Sequence, residues 1–276
     1  MRFAILYSKK DQAGRNIAEQ LEKQFLPQIP LIELSKESIY SENIDDMEEL
    51  KNTDLIIFAS KHQSKAGGKT LSVHAPGNWR NADFGGKPGK VCKTSTLALK
   101  FLLEKMQENK DKSNLNEYQT TMECTHHGPL IKKPCLFIEV GATEIEWQDK
   151  EAAKVIAKTL EDFQNFDAWK NKQENSKENK KKIVSVIAIG GPHYCPNFNK
   201  IQLSQKSNIA IGHVIPEYHL PINESMLKEA LEKTQEQTNT ILLDWKGAGN
   251  SESRQKILEL CKKLGLDVLR TDQIEK

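Results

Sequence analysis

Short apolar runs alternate along this chain with stretches whose apolar residues recur every three to four positions. The runs are bounded by turn residues and predict strands over Phe3–Tyr7, Leu55–Ala59, Tyr118–Cys124, Cys135–Val140, Ile183–Ile189, Ile209–Ile215, Thr240–Asp244 and Val268–Arg270. The longer spacing predicts helices over Asp11–Phe25, Lys93–Asn109, Asp149–Phe166, Asn223–Thr238 and Ser251–Leu264. In the first helix Ile17, Leu21 and Phe25 share a face, and in the second Leu99, Leu102, Leu103 and Met106 do. Asp11 and Ser251 fit helix N-caps, Gly265 fits a helix stop, and Thr143 with Glu146 fits a capping box.

Strands and helices that take turns in this way predict an α/β fold. The strands are apolar on both faces, as they must be when helices cover both sides. We therefore expect a three-layer sandwich around a mostly parallel, mixed sheet. The 276 residues suffice for one such domain with a sizeable core, and no internal repeat divides them. Residues 1–276 are read as a single domain. Within it, the lysine-rich stretch Lys170–Lys182, KNKQENSKENKKK, is an insertion or connector.

Composition narrows the function. No apolar run approaches the roughly 20 residues of a membrane span. The N-terminus, MRFAILYSKKDQAG, reads as a first strand and a charged helix rather than a signal peptide, so a cytoplasmic protein is expected. A net charge of +2 excludes a strongly basic nucleic-acid binder. The lysine stretch remains, either as a solvated segment or as a phosphate-facing arm with salt-dependent affinity. Five cysteines, Cys92, Cys124, Cys135, Cys195 and Cys261, are widely spaced without a C-x-x-C pair, so neither a zinc ribbon nor a disulfide framework is encoded.

Candidate chemistry lies in the turns. All seven histidines, His62, His74, His126, His127, His193, His213 and His219, fall in short turn-like segments, most of them next to a strand. Strand ends are where open α/β sheets bind ligands, and histidine is both a metal ligand and a general base. The densest segment is Glu123-Cys124-Thr125-His126-His127-Gly128-Pro129, where adjacent histidines on extended chain point opposite ways. His126, His127 and His193 are the candidate metal ligands or catalytic groups, with Glu123 as base or ligand. His74 precedes Ala75-Pro76-Gly77-Asn78-Trp79, where Asn78 and the flat face of Trp79 suit a substrate. Gly190-Gly191 before His193 offers backbone N–H groups for a phosphate or an oxyanion. His213 and Lys246 are further candidates for lining the same crevice. Glu139, Glu144 and Glu146 cluster at a strand end, as a base, a supporting group or a plain helix start.

Several classes are excluded. The run Gln63 to Thr70 ends like a P-loop but lacks its first glycine and leads into a strand, not a helix. There is no G-x-S-x-G elbow and no H-E-x-x-H pair.

Six ordered segments, SVHAPGNW, ECTHHGP, EVGATEIEW, GGPHY, GHVIPEYHL and DWKG, together resemble the archaeal and plant type of D-aminoacyl-tRNA deacylase. The resemblance spans Met1 to about Gly247, and FAILYSKKDQAG fits it as well. It implies an enzyme that hydrolyses the ester of D-aminoacyl-tRNA, with two Zn2+ ions per subunit. It also implies a monomer with the α/β fold of peptidyl-tRNA hydrolase and the nucleoside phosphorylases, with no membrane and no obligate protein partner. Two other classes fit the same crevice: a metal-dependent amidohydrolase or peptidase acting on small substrates, and a non-catalytic RNA-binding module.

Overall fold

The computed structural model describes residues 1–23, 29–65, 67–175 and 182–274. Its elements are β1 (Phe3–Ser8), α1 (Gln12–Lys23), β2 (Leu31–Leu34), β3 (Leu55–Lys61), β4 (Thr70–His74), α2 (Thr96–Asp111), β5 (Gln119–Met122), β6 (Cys135–Gly141), α3 (Glu144–Trp147) and α4 (Lys150–Asp162). There follow α5 (Phe166–Asn175), β7 (Val184–Ile189), α6 (Pro196–Gln202), β8 (Ile209–Ile215), α7 (Glu224–Glu232), β9 (Thr240–Leu243), α8 (Ser251–Lys263) and β10 (Asp267–Arg270). Phe25, expected on the face of the first helix, lies outside the described residues, as do 176–181 of the lysine-rich stretch.

The expected α/β class holds, and its strands divide between two sheets. The first runs β2-β1-β3-β6-β4-β5. Its first four strands are parallel, β4 joins β6 antiparallel, and β5 lies parallel to β4. The second, β10-β9-β7-β8, is parallel throughout. Apolar periodicity sets which residues form strands but not which strands pair, so this division is not visible in the pattern.

α2 joins the two sheets, packing on β8 of one and on β4 and β5 of the other. Thr96 Oγ1 and Ser185 Oγ, 2.7 Å apart, bridge it to β7. One face of the first sheet, including Ile5, Ile57, Ala59, Val73 and Ile138, shares a core with α1, α2, α4 and the inner residues of the second sheet. The opposite face holds a smaller cluster of Leu6, Ile56, Phe58, Cys135 and Phe137. The far side of the second sheet, with Ile187, Ile189, Ile241 and Leu243, is closed by α7 and α8.

The end signals work locally. Asp11 Oδ1 accepts the Gly14 N–H at 2.9 Å, the Thr143–Glu146 capping box forms, and Gly265 takes φ +67° after α8. The cap of α8 is Asn250, whose Oδ1 accepts the Ser253 N–H at 2.8 Å, and not Ser251. Asparagine is as good a cap as serine, and the turn stops one residue earlier.

Candidate active site

Alternation along strands builds the floor of the site. Phe58, Ser60 and His62 share one face at the end of β3, and Phe137 and Glu139 occupy that face of β6. Ser60 and Ser72 both pair with Glu139, and His74 pairs with Phe137. The Glu123 N–H extends β5 by donating to Val73 O at 3.1 Å, which places Glu123 beside His74. Four neighbouring strands thus carry His62, Glu139, His74 and Glu123 to the face turned away from the main core. His62, His74 and Glu123 stand at or just past the ends of their strands, whereas Glu139 comes from within β6, because antiparallel β4 brings its end past the body of that strand.

The turn after Glu123 supplies the roof. Cys124 N–H donates to His193 O at 2.9 Å and Thr125 N–H to Val214 O at 3.1 Å, tying this turn to the second sheet. His127 takes φ +44°, which folds the chain back so that the rings of His126 and His127 both stand over His74, at 4.3 and 4.9 Å between centroids. His193, from the turn after β7, closes on His126 at 4.7 Å and His62 at 5.6 Å.

Glu123 Oε2 is the meeting point. It lies 3.1 Å from His62 Nδ1, 3.0 Å from His193 Nε2 and 3.5 Å from His126 Nε2. Glu139 Oε2 lies 3.5 Å from His74 Nε2 and 3.7 Å from His62 Nδ1. Burial pushes the Glu123 carboxyl up, but the hydrogen bonds from His193 and His62 outweigh it and hold the group well below its ordinary value. Burial likewise pushes Glu139 up, but the nearby imidazoles of His62 and His74 bring it below its ordinary value. Burial also opposes charge on His62, yet Glu123 and Glu139 raise it to about 11. His193 rises to about 10 through Cys124 and Glu123. Burial, with the neighbouring imidazoles, drives His126 well below its ordinary value and His127 down to about 4, so both are neutral.

Three of these rings are set for ligation. Nδ1 of His126 bonds Cys124 O at 2.8 Å, that of His127 bonds Gly128 O at 2.6 Å, and that of His74 bonds Ala75 O at 3.2 Å. A carbonyl only accepts, so each Nδ1 carries a hydrogen and each Nε2 is turned to the centre; in the neutral His126 and His127 that nitrogen keeps its lone pair. That is the arrangement found behind metal-bound histidines. His74 Nε2, Glu123 Oε1 and Glu139 Oε2 are buried and make no hydrogen bond, a cost that an ion would relieve. Among the described residues, His62–Glu123–His126–His193, His74–His126–His127 and His74–Glu123–Glu139 each bring their donor atoms within 4.8 Å of one another. Imidazole nitrogen with carboxylate oxygen is a donor set that suits zinc.

The structure therefore gathers His74, Glu123, His126, His127 and His193 together with His62, one of the seven histidines, and Glu139, one of the three clustered carboxylates. Other sequence candidates serve elsewhere. Trp79 is buried and donates its indole N–H to Val214 O at 3.0 Å, so it presents no open face to a base. Asn78 Nδ2 donates to Gly85 O at 2.9 Å and fastens its own loop. His213 is a core residue between Thr125 Oγ1 at 3.2 Å and Lys233 O at 3.3 Å, and burial holds it down to about 4. The N–H groups of Gly190 and Gly191 are already given to Ile215 O and Gly247 O, at 2.8 and 3.0 Å, and so neither is free for an oxyanion. Lys246 is exposed on the loop that abuts this glycine turn.

Comparison with known proteins agrees with the ordered segments. The family described as D-aminoacyl-tRNA deacylase matches residues 49–269. The D-aminoacyl-tRNA deacylase of Methanocaldococcus jannaschii is 34% identical over 263 residues, covering 93% of this chain and 95% of that protein. The proteins of the same description from Thermococcus kodakarensis and Archaeoglobus fulgidus are each 31% identical, covering 96% and 99% of this chain and 98% and 97% of their own lengths. A crystal structure of a conserved protein of unknown function superimposes with a TM-score of 0.82 at 30% identity, over 99% of this chain and 96% of that one.

Proposed function

The chain belongs to the D-aminoacyl-tRNA deacylase family, and from that premise we propose that the histidine–glutamate centre is where the ester is broken. It is a carboxylic ester hydrolase that releases the D-amino acid and free tRNA from D-aminoacyl-tRNA. The observation that carries the placement is the convergence of five histidines and two glutamates on one sheet face, with three rings anchored through Nδ1.

His62, Glu123, His126 and His193, with His74, His127 and Glu139 beside them, would hold zinc, two ions being the number the resemblance implies. Zinc, when bound, supplies Lewis-acid chemistry: it activates water near neutral pH and polarises an ester carbonyl. The carbonyls of Ala75, Cys124 and Gly128 fix the tautomer and direction of the three anchored rings. Glu123, held ionised, is a weak proton acceptor and serves better as a ligand and counter-charge than as a general base. The aromatic wall of Phe137, 5.2 Å from the His74 ring, keeps water from the inner side.

No helix among the described residues is long and apolar enough to cross a membrane. We read the protein as a single domain that acts as a monomer in the cytoplasm, where aminoacyl-tRNA is made. The test is deacylation of matched D-tyrosyl-tRNA and L-tyrosyl-tRNA, before and after chelation and with zinc restored. D-selective turnover that chelation abolishes and zinc restores is expected. D-selective turnover that survives thorough chelation would keep the reaction and remove the metal.

A further inference from the structure

The histidines of the centre differ in what holds their second nitrogen. His74, His126 and His127 are fixed by backbone carbonyls of their own segments. His62 and His193 meet tyrosine hydroxyls instead: Tyr194 Oη lies 2.8 Å from His62 Nε2, and His193 Nδ1 is shared between Tyr218 Oη and Cys124 Sγ, each at 3.3 Å. The Tyr218 hydroxyl also meets Cys124 Sγ at 2.9 Å, while the far nitrogen of His193 faces Glu123.

The two tyrosines are placed differently. Tyr194 is half-buried, but Tyr218 is 54% exposed although its hydroxyl reaches the centre. Its ring therefore stands between the buried histidines and solvent. It is also held there. Tyr218 occupies the short turn Glu217–His219, where Glu217 N–H donates to Gly191 O at 2.9 Å. Arg80 Nη2 clasps the same turn through His219 O at 3.1 Å and Pro221 O at 2.9 Å. An aromatic ring pinned in an exposed position at the mouth of a site is a platform for a flat ligand.

The ester to be cut is attached to the ribose of the terminal nucleotide, so the terminal base lies one sugar away from the reacting carbonyl. Unpaired bases stack readily on exposed aromatic rings. We propose that Tyr218 is a positioning residue that orients His193 through its hydroxyl, and that its ring stacks on the terminal base of the tRNA. This inference rests on the deacylase reading for the identity of the ligand, and on geometry alone for the hold on His193.

Two variants separate the roles. Tyr218→Phe keeps the ring and loses the hydroxyl; it should lower kcat about tenfold, as loss of a partner behind a ligating histidine does, with KM unchanged. Tyr218→Leu loses both; it should also raise KM about tenfold or more and weaken binding of uncharged tRNA to the same degree. The ring 15N resonances of His193 should move in Tyr218→Phe, a readout independent of turnover, and thermal melts would show both variants folded. Unchanged His193 resonances with unchanged kcat in Tyr218→Phe would overturn the positioning role. Normal KM and tRNA affinity in Tyr218→Leu would overturn the stacking role. A wild-type protein without D-selective turnover would overturn the deacylase reading instead, and the resonances would still decide the contact with His193.

Discussion

Replacing Glu123 with glutamine keeps the shape of the side chain and removes one charge from the middle of the site. Its Oε2 is the oxygen on which three imidazoles converge, at 3.0, 3.1 and 3.5 Å, and the residue is buried. Removing one partner from a buried ion pair typically costs about 3–5 kcal/mol, because the remaining charge is left unpaired. In a chain of roughly this size each kcal/mol moves Tm by about 2–4 °C. Glu123→Gln should therefore melt on the order of 10 °C lower than wild type when both are held in chelator. The effect on zinc should be larger. Loss of a group behind a ligand costs about 10–100-fold in metal affinity, so loss of a direct ligand should exceed about 100-fold, and kcat should fall with occupancy. Calorimetry in chelator, competition with a chromophoric chelator and single-turnover deacylation measure the three quantities. Glu139→Gln is the internal comparison, since its nearest imidazoles lie at 3.5 and 3.7 Å, and it should lose less of each. Wild-type zinc affinity and turnover in Glu123→Gln would refute the argument that this carboxylate organises the centre.

Gly128→Ala should lower both Tm and kcat, because the added methyl would meet Gly86 N at 2.4 Å and Gly85 C at 2.5 Å, backbone atoms that cannot step aside. Overpacking of this kind costs about 1–3 kcal/mol, and the displaced turn carries His127; a variant with wild-type melting and turnover would disprove the tight approach. His213 adds an acid-sensitive component to stability. Its folded value of about 4 lies below the ordinary 6.5, so between those pH values the unfolded chain binds the extra proton and stability falls as pH falls. The loss approaches about 3 kcal/mol at the lower end. His213→Gln should remove it, and urea melts at pH 7 and pH 4 that fall equally in both proteins would contradict this. Lysine-to-glutamine changes across residues 170–182 should raise KM and flatten its salt dependence while leaving kcat alone; a change confined to kcat would exclude an electrostatic arm.

The parts of this site that sequence reveals are those written in one local segment. Glu123, His126 and His127 stand within five residues, and His193 follows a strand and a glycine pair, so their chemistry is visible without a fold. His62 stands out only as one histidine of seven and Glu139 only as one of three clustered carboxylates, and neither local segment joins them to the others. His62 opens the connection between β3 and β4, and the clue to its direction is the continuation of the β3 alternation through Phe58 and Ser60. Glu139 lies inside an apolar strand, where a buried carboxylate is itself the signal, since such a group is rarely buried unless it is paired. Trp79 and His213 mislead in the opposite direction: aromatic and imidazole groups suggest ligands, yet both spend their polar atoms on Val214, Thr125 and Lys233 in the interior. The glycine pair misleads because its N–H groups are used across strands, by Ile215 and Gly247, which no local window contains. α6 escapes periodicity because it spans only seven residues, and β2 because Glu33 interrupts its short apolar run.

The division of the converging residues between two sheets makes the centre a product of long-range docking rather than of any one segment. Six of the seven converging residues precede residue 140, while His193 and Tyr218 arrive with the second sheet. The first sheet and its loops alone carry four imidazoles and two carboxylates, and lack the last imidazole and the tyrosine beside it. The centre is whole only where Cys124 and Thr125 reach across to the backbone of His193 and Val214, so its assembly depends on the docking of one sheet against the other.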